Sequence, residues 1–169
     1  MQWPRLELLE AGHSSALLAF ETENRRYFAA SIGDRGDEFF AHFDDMLASR
    51  LAYQAAGTDA YYLLVAEDGA ILGRFNIVAI QDGAAELGYR IAERAAGRGL
   101  ATAAVGDICD LAASRHALTV LRAATSDGNL ASQRVLVKNG FVKLGPAAPA
   151  EIGGQTGSWY QRDLTPSAH

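Results

Sequence analysis

Apolar residues recur in two different rhythms along this chain, and the switch between them divides it into elements. Near the start, Arg5–Leu9 is a short apolar stretch that predicts a first strand. Helical spacing follows from His13 to Phe28, where Ala16, Leu17, Phe20 and Asn24 fall on one side, until Gly33, Asp34 and Gly36 break it. Asp37 is a suitable N-cap for a second helix, whose stripe is Phe39, Phe43, Leu47 and Leu51 and whose end is Gly57. From Ala60 the pattern changes. Ala60–Glu67, Ala70–Ile80 and Ala84–Ile91 are rich in Tyr, Leu, Val and Ile, and Asp68-Gly69 and Asp82-Gly83 separate them. Asp-Gly between strand-like runs signals a type I′ hairpin, which needs positive φ at both central residues, so a three-strand antiparallel meander is expected.

Helical spacing returns after Arg98 with Leu100, Ala104, Ile108 and Leu111. A buried strand over Leu118–Thr125 and a helix over Asn129–Asn139 follow, the helix stopped by Gly140 as a left-handed cap. Phe141–Leu144 and Ser158–Leu164 complete the expected strands. The order is strand, two helices, three-strand meander, helix, strand, helix and two strands. It predicts an α+β fold on a mixed sheet, and not a doubly wound parallel one.

Composition narrows the possibilities. The 169 residues suit one domain that buries about two-thirds of its unfolded surface. No repeat or linker divides it, so residues 1–165 are read as a single domain with 166–169 as a tail. A formal charge of -5 argues against a nucleic-acid partner and favours attraction of cations, protonated amines among them. Apolar runs are shorter than the about 20 residues of a membrane span, and MQWPRLELLE lacks the plan of a signal peptide. The single cysteine, Cys109, permits no disulfide within the chain and leans toward a reducing cytoplasm; its place beside Ile108 reads as core. His13, His42, His116 and His169 are scattered without metal-ligand spacing, and no metal is expected.

The most informative segment is Arg94-Ala-Ala-Gly97-Arg98-Gly99-Leu100-Ala101-Thr102, between a strand and a helix. A helix start offers N–H groups without intrahelical partners and a partial positive charge. Gly97 and Gly99 remove side chains so that an anion can approach, and Arg94 and Arg98 add charged donors. A diphosphate fits this arrangement. An ordinary glycine-containing loop is the plain alternative. A dinucleotide-binding turn is disfavoured because the preceding strand sits in a meander and no acidic residue follows about 20 residues on. A Walker loop fails for want of Gly-Lys-Ser/Thr.

Arg-x-x-Gly-x-Gly followed by Leu-Ala-Thr resembles the acyl-CoA diphosphate motif of GNAT acetyltransferases. Asn129-Leu-Ala-Ser132-Gln-Arg-Val135-Leu-Val-Lys138-Asn139-Gly140-Phe141 is similar to a segment of the RimJ/RimL-like branch, and Glu86-Leu-Gly-Tyr89-Arg-Ile91 resembles that branch's fourth strand. Glu23-Asn24-Arg25 is also similar to a segment common in RimJ-like enzymes. The resemblance implies a GNAT fold, with a mixed, mostly antiparallel sheet of about seven strands and about four helices. It implies acetyl-CoA as cosubstrate, bound by Arg94, Gly97, Arg98, Gly99, Leu100, Ala101 and Thr102, by backbone groups near Arg90 and Ile91, and by Asn129. A plain helix N-cap is the other role for Asn129.

An amine acceptor is mostly protonated at neutral pH and needs a base. The resemblance assigns that work to Glu86, commonly through water; the alternative is an ordinary strand carboxylate. Many relatives place a tyrosine seven residues after the Asn as general acid, and here that position is Leu136. Ser132 stands where a serine is proposed for this role in RimL-like enzymes, and it also suits a helix start. The implied activity is N-acetyltransfer from acetyl-CoA to a protein N-terminal amine or a small amine by direct attack in a ternary complex. The rival is a catalytically silent CoA-binding module. The family sometimes forms homodimers through the last strand, an arrangement the sequence does not itself show.

Overall fold

The structure is a computed structural model and describes residues 3–149, 152 and 154–164. The expected tail at 166–169 and His169 lie outside the described residues. Contacts divide the chain into two compact units, Met1–Asn76 with Tyr89–Arg98, and Ile77–Gly88 with Gly99–His169. The sequence marks no boundary for this division, because two strands of the meander each pass from one unit to the other.

The first unit holds β1 (Arg5–Leu8), α1 (Ser14–Glu23), α2 (Arg25–Ile32), α3 (Asp37–Ala41), α4 (Phe43–Ala55) and β2 (Ala60–Val65). It also holds the start of β3 (Ile71–Gln81) and the end of β4 (Ala84–Ile91). Every residue of β2 is buried, which explains why its sequence is a continuous apolar run without alternation. β1 pairs antiparallel with β2, from Arg5↔Val65 to Leu8↔Tyr62.

Two helices expected to be continuous are each broken. The His13–Phe28 helix divides at Asn24, whose φ of -102° and ψ of 7° leave helical geometry. The buried Asn24 side chain donates from Nδ2 to the Phe20 carbonyl at 2.9 Å and accepts at Oδ1 from the Glu93 N–H at 3.0 Å. A side chain that serves backbone groups on both sides competes with the helix ladder. The second helix divides at His42, and Asp37 is the first residue of α3, following Gly36. Its stripe is as expected: Phe43 and Leu47 are buried, with Phe39 and Leu51 half-buried.

The second unit holds the end of β3, the start of β4, α5 (Leu100–His116), β5 (Val120–Ser126), α6 (Leu130–Lys138), β6 (Val142–Ala147) and β7 (Gly157–Asp163). Gly140, φ 82°, follows α6 in the left-handed conformation. One face of α5 supplies core residues Leu100, Ala104, Val105, Ile108, Cys109 and Ala112. Burial raises the Cys109 thiol pKa, as suits a core residue. β5 and β7 pair antiparallel over their whole length, from Val120↔Asp163 to Ser126↔Gly157.

The sheet order is β1-β2-β3-β4-β5-β7-β6, and the β4–β5 ladder is parallel. Seven strands agree with the expectation, whereas the two breaks raise the helix count to six among the described residues. The two Asp-Gly turns also differ. Asp82 and Gly83 have φ of 53° and 79°, the type I′ signature. At the first turn only Gly69 is positive, at 88°, and the bonds Gly69 N–H to Ala66 O and Ala66 N–H to Ala70 O make a longer loop closed by a glycine bulge. No described helix is long and apolar enough to cross a membrane.

Close approach of β5 and β7 generates a prediction. A Cβ on Gly157 would run into the Thr125 carbonyl oxygen and lie 2.8 Å from Ser126 Cα, neither of which can swing away. Gly157→Ala is expected to cost about 1–3 kcal/mol, read as a fall of several degrees in melting temperature.

Candidate active site

The turn singled out in the sequence begins where β4 ends. The Ala92 N–H donates to the Leu72 carbonyl at 2.7 Å, and the Glu93 N–H is held by Asn24. Glu93–Ala95 form one 3-10 turn, with Ala95 buried and the Ala96 N–H donating to Glu93 O at 3.1 Å. Then the chain reverses through Gly97 and Gly99, φ 74° and 76°, which L side chains rarely adopt. Leu100, buried, opens α5.

This reversal leaves donors without partners. Among the described residues, no protein group accepts from the N–H groups of Gly97 through Thr102; the next one, Ala103, donates to the Gly99 carbonyl at 3.1 Å. No atom beyond the chain neighbours lies within 4 Å of where a Cβ would stand on Gly97 or Gly99, so the side-chain side of both residues is open. Arg94 and Arg98 are exposed, and Arg98 Nη1 donates to the Arg94 carbonyl at 3.3 Å, folding its guanidinium back over the turn. Thr102 contributes its carbonyl to Asn139 Nδ2 at 3.0 Å, which ties the start of α5 to the end of α6.

Glu86 lies in the second unit, exposed on β4 and directly across from Arg122 on β5. The β4–β5 ladder runs Ala84↔Val120, Ala85↔Leu121 and Glu86↔Arg122 and ends there, while β5 continues against β7 to Ser126. Glu86 therefore stands where the two parallel strands cease to pair. Two positions on, Gly88 has no atom beyond its chain neighbours within 4 Å of where a Cβ would stand. A cavity of ≈ 260 Å³ is lined by Glu86, Arg122, Leu144, Gly145, Pro146 and Trp159. Arg122 Nε donates to Gln161 Oε1 at 2.9 Å, which fixes that guanidinium beside the carboxylate's strand.

Asn129 caps α6, its Oδ1 accepting from the Ser132 N–H at 3.1 Å. The capping role is thus met, and it uses only one of the two side-chain polar atoms. Ser132 is half-buried in the first turn of the same helix.

Arg90, on the face of β4 opposite Leu87, Tyr89 and Ile91, meets a helix there. Its guanidinium lies 5.1 Å from the Phe28 ring of α2, inside the first unit. Burial, followed by the charge of Arg35, brings its pKa down to about 10. Ile91 packs its side chain near Gly73, where an added Cβ would come within 2.7 Å of Ile91 Cδ1. The expectation for both residues concerned their backbone, and β4 keeps that backbone extended through Ile91.

Residues 6–142 match the Acetyltransferase (GNAT) domain family. The chain belongs to that family. No curated protein sequence matches it. Solved structures do. The ribosomal-protein-S5-alanine acetyltransferase of Vibrio fischeri is 21% identical with a TM-score of 0.89, over 97% of this chain and 94% of that one. Mycobacterium smegmatis RimJ, in complex with CoA-disulfide, is 19% identical with a TM-score of 0.83, over 94% and 80%. Spermidine N-acetyltransferase from Vibrio cholerae, in complex with CoA and spermine, is 16% identical with a TM-score of 0.80, over 96% and 96%. At such identities the likeness establishes the GNAT fold, and the neighbours agree with the RimJ/RimL-like resemblance read from the sequence. The family membership makes the protein an acetyltransferase.

Three contributors were not legible in advance. Asn24 anchors the segment before the turn from 69 positions away in sequence. Arg122 and Trp159 reach the Glu86 cavity through strand register, which only the pairing of β4, β5 and β7 reveals.

Reversing the charge at the turn, Arg98→Glu, is expected to weaken CoA binding about 10–100-fold, as one charged hydrogen bond is exchanged for repulsion. Calorimetric titration reads it directly.

Proposed function

We infer that the protein transfers an acetyl group from acetyl-CoA to a primary amine, by direct attack within a ternary complex. The observation that carries this reading is the run of open amides from Gly97 to Thr102 at the start of α5. Such a nest suits the CoA diphosphate: the N–H groups point outward, the helix dipole favours negative charge, and Arg94 and Arg98 add charged donors. Asn129, with Nδ2 left over from its capping bond, is the side chain proposed to reach the pantetheine arm. The backbone of Arg90 and Ile91 would pair with that arm as an added strand does.

Glu86 is the proposed base. A primary amine arrives largely as the ammonium and has no lone pair until a proton leaves. The Glu86 carboxylate, exposed at the cavity, takes that proton directly or through one water. The freed amine then attacks the thioester carbonyl, forming the C–N bond as the C–S bond breaks, and the nitrogen gives up its second proton, which balances the one taken up by the departing sulfur. Ser132 is assigned, on the resemblance, the return of a proton to the departing sulfur. A thiol ionises near about 8.5, so this step makes little demand on the acid.

The acceptor is proposed to occupy the cavity between Glu86 and Trp159, with Pro146 and Leu144 as apolar wall. The neighbours named for an alanine of ribosomal protein S5 and for spermidine support a primary amine, on a protein N-terminus or on a small molecule.

Thiol release from acetyl-CoA, measured against a panel of N-terminal peptides and small amines, tests the reading. Glu86→Gln is expected to lower kcat about 10²–10⁴-fold while CoA affinity stays unchanged. Equal rates for both proteins across pH remove Glu86 as base. Stabilisation by NADH and not by CoA overturns the assignment as a whole.

A further inference from the structure

The first unit buries more positive charge than it neutralises. Glu21, on α1, is 2% exposed, and its Oε2 lies 3.3 Å from Arg35 Nε and 3.6 Å from Arg74 Nε. Arg74 is 8% exposed and projects from β3. Arg90 joins them from β4, lining with Glu21 and Arg35 a cavity of ≈ 10 Å³. Three guanidiniums therefore surround one carboxylate. At the rim Asp34 and Asp37 both pair with Arg25 at 2.8 Å, a group with one acidic charge in excess, which offsets only part of the positive charge around Glu21.

Neutralisation by loss of a proton is not open to arginine as it is to lysine. Aromatic rings take part of the load: Arg35 sits 4.4 Å from the Phe39 ring, and Arg90 lies over Phe28. Those contacts engage the flat faces and leave the N–H edges. Arg35 Nε, Arg74 Nε and Arg90 Nη1 are buried without a hydrogen-bond partner, as is Glu21 Oε1; the first two face Glu21 Oε2 at ion-pair distance, and Arg90 Nη1 faces no carboxylate so closely. Buried donors on charged groups are costly to leave unmet, and two of these residues, Arg35 and Arg90, line the same small cavity, which marks it as a site for an acceptor. A space of this size takes one oxygen-sized group.

We propose that Arg35 and Arg90, with the charge of Arg74 beside Glu21 adding to theirs, form an anion site that takes one oxygen of a carboxylate or phosphate carried by a small ligand. The site is separate from the turn at Gly97–Thr102, and its occupancy does not require acetyl transfer. Guanidinium edges suit both ligand geometries, and the two sources are distinguished by experiment.

The full chain is titrated at fixed pH and ionic strength with sodium phosphate and with sodium acetate, sodium chloride making up the balance, and melting temperature and heat of binding are followed. A saturable rise of at least about 2 °C is expected with one or both anions. Arg35→Gln, at the more exposed edge of the cluster, should weaken the response at least about 10-fold. Glu21→Gln removes the buried carboxylate that opposes the arginines; its melting temperature should fall at low anion and recover as phosphate or acetate is added. Arg98→Glu should leave the response intact. No saturable rise in the wild-type protein, or a rise that Arg35→Gln keeps, overturns the proposal. A response abolished by Arg98→Glu and kept by Arg35→Gln places the anion at the turn and also overturns it. Amino acids and their amides, compared in the same assay, decide the source: stabilisation that follows the free carboxylate identifies a carboxylate ligand, and stabilisation by phosphate alone identifies a phosphate.

Discussion

Every α-helix begins with N–H groups that its own ladder cannot satisfy, and at α5 the chain leaves them open instead of capping them with a side chain. The local sequence enforces that choice. Gly99 at the N-cap has no oxygen to lend, Gly97 turns the chain away, and Leu100 pins the first helical residue in the core. A serine or aspartate at position 99 could cap those donors with its own side-chain oxygen. The turn is held from both directions: Asn24 fixes the approach at Glu93, and Asn139 fixes the first turn of α5 at Thr102.

The sheet provides the second condition for chemistry. β4 and β5 are parallel neighbours for three residue pairs only, and Glu86 closes the paired stretch. A carboxylate in the middle of a paired, covered sheet would be desolvated and inaccessible. At the end of the ladder it stays exposed while its strand remains fixed by the residues before it. The glycine two positions on, with open space where a side chain would be, keeps the backbone beside it approachable.

Legibility in the sequence followed the range of the interactions. The turn, the Asn129 cap, the Gly140 stop and the α5 stripe are set by residues within a few positions of each other, and all were readable. The strand positions followed from apolar runs and their turns, although Asp68-Gly69 adopts a bulged loop where Asp82-Gly83 makes the two-residue turn. The break at Asn24 was not readable, because its cause is a hydrogen bond to Glu93, supplied by a distant part of the chain. Arg90 shows the same limit. Alternation along β4 identifies which residues share a face, but not that α2 brings Phe28 against the arginine.

Net charge is an equally poor guide to local chemistry. The chain carries an excess of acidic residues, yet its most buried ionic cluster is cationic. The two facts belong to different dielectric regimes. Surface carboxylates are solvated and screened within about 8–10 Å, so they contribute a weak overall field that favours approach of cations. Arg74 and its neighbours are shielded from that water, and burial followed by the charge of Arg35 pushes the Arg74 pKa well below its usual range. Like charges retained together under such a penalty need an opposite charge close by, and distant surface acids cannot supply it through a screened solvent.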